Sequence, residues 1–171
     1  MKIWKYAVLS VAVVALAVVG FSMSRITSAA APSASANGSG KLDENRQFSF
    51  SARQLSPDGT ASGNAVLHNP AFTVNNNQRY ALQIDVRCIK VIGNVAFVGG
   101  LTRRTNDPSL VDAVFFSVQD NGEPGKGSDQ ISRVFFWDDD PNTTGDPMAC
   151  QLNQLGDFPM EPIQSGNVQV K

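Results

Sequence analysis

Three stretches of this chain carry side chains whose types and spacing could do chemistry: DNGEPGKGSDQ at residues 120–130, DDDPNTTGD at residues 138–146, and HNP around the single histidine, His68. The first mixes glycine, lysine and acid as a phosphate cradle would. A P-loop, however, needs glycine, four residues, then glycine, lysine and serine or threonine, so that backbone N–H groups and a helix N-terminus converge on the anion. Here Gly127 follows Lys126, Asp120 stands five places before Gly125, and a strand-like run follows in place of a helix. The nucleotide reading fails. The glycine period of GEPGKG is also collagen-like, but it is not sustained.

Asp120, Glu123 and Asp129 would form an oxygen site if their loop folded back on itself, and outside a cell such a site would suit calcium. Residues 138–146 place acids and amides at alternate positions and are a second candidate. Neither has EF-hand spacing. Counted from Asp138 the obligatory glycine is Thr143, and counted from Asp140 the final acid is Gln151. The acids are therefore read first as solvated turn residues, with calcium the ion they would suit. No catalytic, cofactor or metal residue is assigned.

Catalysis finds few parts. A serine triad, a zinc site and a cysteine–histidine dyad all need histidine partners, and His68 stands alone near the end of an expected strand. Two acids from among Asp120, Glu123, Asp138 and Asp140 could hydrolyse a glycoside at a separation of about 5–9.5 Å, a distance that sequence does not supply. The two cysteines, Cys88 and Cys150, are most simply one disulfide in an exported chain. The alternative is a pair of buried thiols. Neither has the histidine neighbour that a nucleophile would want.

The elements that must position these residues begin with an export signal. Lys2 and Lys5 precede an apolar run at residues 7–21, and small residues follow it. The run falls short of the roughly 20 residues a spanning helix prefers. Residues 1–30 are thus expected to be a signal peptide cut after Ala30, or alternatively after Ala36; an uncleaved anchor would be the sole membrane contact. A cut after Ala31 would put Pro32 first. Loss of Lys2, Lys5 and Arg25 from 14 bases and 15 acids leaves eleven bases against fifteen, a charge of about −4. Such a chain repels nucleic acid, and the Arg103–Arg104 doublet is too small for a phosphate track.

Residues 31–44 are small and polar and are expected to be a flexible leader, with a single β domain over residues 45–171. In RQFSFSARQ the period is two, with Phe48 and Phe50 on one face. Similar runs recur between turn signals: SPDG, NNNQ, IGN and TNDPS. Seven or eight short strands at this spacing predict an all-β, mainly antiparallel sandwich or small barrel. Residues 138–165 alternate little and read as irregular, clipped to the sheet through Cys150. DNGEPGKGSDQ then becomes a hairpin connector. With Gly125 at its centre, Phe115 lies opposite Phe135 and Phe116 opposite Val134.

CIKVIGNVAFVGGLT (residues 88–102), VFFSVQDNGEPGKGSDQIS (residues 114–132) and GNVQVK (residues 166–171) together resemble a family of small, exported, largely uncharacterised bacterial β-domain proteins. The resemblance spans residues 44–171. It implies a β domain outside the cytoplasm and carries no activity or site residue. The expected function is an exported, non-enzymatic domain that binds an envelope or extracellular partner, through a strand edge or the surface around Trp137. The alternatives are a barrel holding a small apolar ligand and a secreted hydrolase using acids.

Overall fold

The computed structural model describes residues 33–43, 46–74, 78–106, 112–122, 127–136 and 145–171. The expected signal peptide, Glu123, Trp137 and Asp138 to Thr144 lie outside these residues. Ten strands are described: β1 (Ser35–Lys41), β2 (Gln47–Gln54), β3 (Thr60–Val74), β4 (Gln78–Ile92), β5 (Val95–Thr105), β6 (Ala113–Gln119), β7 (Gln130–Ser132), β8 (Phe135–Phe136), β9 (Met160–Pro162) and β10 (Ser165–Val170). A 3₁₀ helix, Pro147–Leu152, is the one longer helical element among them. The pairings are antiparallel in the order β10-β1-β2-β3-β4-β5-β6-β7-β9, with β8 beside β6.

The all-β antiparallel expectation holds, as a curled sheet that forms an incomplete barrel. The curl follows from connectivity. β9 and β10 stand at opposite ends of the strand order, yet only Ile163 and Gln164 separate them. Ile163 N–H bonds the Asp129 carbonyl and Gln164 N–H bonds the Lys41 carbonyl, so two successive residues tie the two ends of the sheet together. The interior is filled from all sides by alternating residues, including Phe48, Phe50, Leu82, Ile84, Phe116 and Val168. Phe50 and Phe116 meet edge to face at 5.6 Å between ring centres.

Two expectations need correction. The segment expected to be a flexible leader contains β1, paired on both sides, so the domain starts before residue 45. Gly38 and Gly40 stand opposite Phe50 and Phe48, whose rings cover them; a Cβ on either glycine would lie 3.0 Å from a ring carbon. The neighbouring strand thus supplies the apolar surface that β1 lacks. In the connector, Phe115 pairs with Phe135 as expected, but Val134 falls in a break between β7 and β8. There the Ser132 hydroxyl accepts the Ser117 N–H at 2.9 Å, and Phe116 points into the core.

A second layer explains why the first six residues of β5 and of β6 are buried on both faces. Val86 pairs with Gly100 and Cys88 with Gly99, which leaves Arg87 as an extra residue on β4. Before this bulge Leu82, Ile84 and Val86 face the interior; after it Ile89 does, and Cys88 turns to the outer face. Cys88 joins Cys150 there, and the helix Pro147–Leu152 lies over β4 and β5. Gly99 makes room for it, since a Cβ would collide with the Pro147 carbonyl.

Candidate functional site

Of the acids singled out for chemistry, those described, Asp120, Asp129 and Asp146, accept backbone N–H groups. Asp129 is fully buried; its Oδ1 accepts the Asn121 N–H at 2.9 Å and its Oδ2 accepts the Val168 N–H at 2.8 Å. Asp120 accepts Gly122 N–H at 2.9 Å on Oδ1 and Val170 N–H at 3.1 Å on Oδ2. Alternate N–H groups of β10 point away from β1, and these two carboxylates take two of them. They bridge the two ends of the curled sheet where no strand pairing is present among the described residues. Asp112, which sequence reading passed over, accepts Ala113 N–H at 2.5 Å and Gly145 N–H at 2.6 Å. Asp146 caps the 3₁₀ helix by accepting Met148 N–H at 2.8 Å.

Asp58 does the same in the β2–β3 turn, where bonds from the Ser56 hydroxyl and the Thr60 N–H hold its carboxyl below its ordinary pKa. Across the seam, Arg46 makes two bonds to Glu161, at 2.5 and 2.6 Å. Those guanidinium bonds hold the Glu161 carboxyl below the usual range. His68 is exposed within β3, opposite Gln47 and Ala81. Among the described residues no group of three histidine, cysteine or acidic side chains could hold a metal ion.

The exposed large apolar side chains among the described residues are Leu55, Phe135, Leu152 and Leu155. Lys90 Nζ donates to the carbonyls of Gln151 and Asn153, at 2.8 and 2.6 Å, and the Gln151 amide donates to the Ile89 carbonyl at 2.8 Å. With the disulfide, these bonds fix the segment around Cys150. Yet the same segment presents Leu152 at 77% and Leu155 at 60% exposure. Leu155 and Phe158 border an open cleft of about 470 Å3, together with Ile92 and the amides of Asn94, Gln119 and Gln130. The β2–β3 turn adjoins Gln151 through Gly59 and carries a third exposed leucine, Leu55, at 63%.

Sequence reading brought together Cys88 and Cys150 correctly and missed the rim. The available signal was QLNQLGD, residues 151–157, in which two leucines recur among polar residues without strand alternation or a helical run. The chain matches no known protein family, no curated protein and no solved structure.

Proposed function

We propose that the protein is an exported, non-enzymatic β domain that binds a partner outside the cytoplasm through the rim carrying Leu152 and Leu155. The observation that carries this reading is the contrast within one segment: a disulfide, a lysine and a glutamine hold it rigidly, and it offers two large apolar side chains to solvent beside a cleft. Exposed apolar surface on a fixed support is the usual make-up of a contact site. The disulfide supports a location outside the reducing cytosol. The resemblance to small exported bacterial β-domain proteins points the same way.

The alternatives draw less support. A small-ligand barrel needs space inside, where Phe48, Phe50 and Phe116 pack. A hydrolase using Asp120 would need a carboxylate free to exchange protons with substrate, whereas both its oxygens accept backbone N–H groups.

The test is capture from medium and envelope fractions by purified, oxidised protein and by a Leu152→Lys, Leu155→Lys double variant. The expected result is a partner retained by the natural protein and lost by the variant, with the melting temperature unchanged because both side chains are exposed. Equal capture by both proteins, or turnover of a polysaccharide by the natural one, overturns the reading.

A further inference from the structure

Two peptide bonds satisfy an export peptidase that selects small residues: the one after Ser28-Ala29-Ala30 and the one after Ala34-Ser35-Ala36. The fold treats them very differently. Ala34 donates its N–H to the Gln54 side-chain oxygen at 2.8 Å and accepts the Gln54 N–H on its carbonyl at 2.8 Å. Ser35 exchanges both its backbone groups with Lys171, at 2.9 Å each way. Ala36 is 1% exposed, sits between Ala52 and Val170, and belongs to the barrel core. A cut after Ala36 would remove all four hydrogen bonds and that core methyl group. It would also strip the partner from the end of β10, which is held on its other side by the Asp120 and Asp129 carboxylates.

We infer that the mature chain begins at Ala31, through hydrolysis of the Ala30–Ala31 bond, and that Ala34 to Ala36 are a working part of the domain. Water adds across that amide, leaving a carboxylate on Ala30 and an ammonium on Ala31. Only Ala31, Pro32 and Ser33 then precede Ala34, whose N–H and carbonyl are both paired with Gln54. The small residues at Ala34 and Ala36 serve the sheet. Ala36 is buried in the core, with Ala52 and Val170 as its partners on the two neighbouring strands. Its likeness to a peptidase motif is a by-product of strand packing.

This inference rests on the export proposed above, and its test separates the two. Intact mass and N-terminal sequence are read on protein recovered from outside the cytoplasm. Ala31 as first residue is the expected result; any other first residue in that fraction, Met1 included, overturns the inference while leaving export standing. Absence from the fraction overturns both. Independently, oxidised chains beginning at Ala31 and at Asn37 are compared by thermal melting. The shorter chain is expected to melt lower by on the order of 10 °C, the shift that loss of several paired backbone groups gives in a domain of this size. Equal melting temperatures overturn the assignment of Ala34 to Ala36 to the folded domain.

Discussion

The buried carboxylate of Asp129 accepts the Val168 N–H at 2.8 Å, joining the last strand of the chain to a turn at the opposite end of the strand order. The same carboxylate accepts the Asn121 N–H, so one side chain satisfies two backbone donors, of which the Val168 N–H is buried. Removing an acceptor from a buried donor costs about 1–3 kcal/mol per group. Asp129→Ala is therefore expected to lower the unfolding free energy by roughly 2–4 kcal/mol in urea titration. Asp120→Asn should cost less, roughly 1 kcal/mol, because Asp120 is only half-buried and water can replace it. Since the oxygens of both aspartates already accept backbone donors, Asp120→Asn is expected to leave the response of the melting temperature to millimolar calcium unchanged.

What sequence revealed and what it hid divide along a physical line. The alternation of QFSFSAR, the IGN turn with Gly93 at φ +62°, and the Phe115–Phe135 pair depend on residues that carry their own signal. β1 does not, because Gly38 and Gly40 have no side chains to bury and the rings that cover them belong to β2. The aspartates were equally opaque: an acid in a glycine-rich turn reads as solvated, and the Asp129 partner lies 39 residues away. The outer face of β4 was hidden by the bulge at Arg87, which reverses the in–out alternation partway along the strand. The rim leucines recur among polar residues without strand or helix periodicity, a weak signal that their exposure in the folded chain makes plain.

The glycines of β1 separate close packing from backbone conformation. A Cβ on Gly40 would collide with the Ser165 carbonyl and stand 3.0 Å from the Phe48 ring, although the site does not require a positive φ. Gly40→Ala is expected to destabilise by about 1–3 kcal/mol, the cost of overpacking a tight site. Gly122 has φ +94°, and a Cβ there would meet nothing within 4 Å, so Gly122→Ala tests the conformational term alone, at about 1 kcal/mol. Urea midpoints for the two variants, ordered with Gly40→Ala lower, would bear out the ring-over-glycine packing.

Cys88 and Cys150 are both fully buried and 62 residues apart in sequence. Constraint of so long a loop in the unfolded chain stabilises by roughly 4 kcal/mol on the chain-entropy account. Replacing both cysteines with serine should lower the melting temperature by at least about 10 °C. It should also raise binding of an apolar dye, because loosening the helix Pro147–Leu152 uncovers Phe115 and Ala113 on the outer face. A variant that melts lower without added dye binding would show that the layer stays docked through Lys90 and Gln151 alone.

The Arg46–Glu161 pair gives the seam a pH dependence. Its side chains are 14% and 26% exposed, and the two guanidinium bonds hold Glu161 below its ordinary value of 4.5. A carboxylate with a depressed folded pKa stabilises the fold fully above its unfolded pKa, where it is ionised in both states. As the pH falls below about 4.5 the unfolded chain takes up the proton first, and the contribution is lost as the pH passes through the lower folded value. Glu161→Gln is expected to cost roughly 1 kcal/mol at pH 7, the upper range for a partly exposed pair with two-point geometry. Other carboxylates titrate over the same range, so the quantity to follow is the difference between natural and variant chains in urea unfolding at successive pH values. That difference should be constant from pH 7 to about 5 and shrink towards zero below about 4. A gap that persists undiminished into strong acid would mean that Glu161 supports the seam through packing instead of charge.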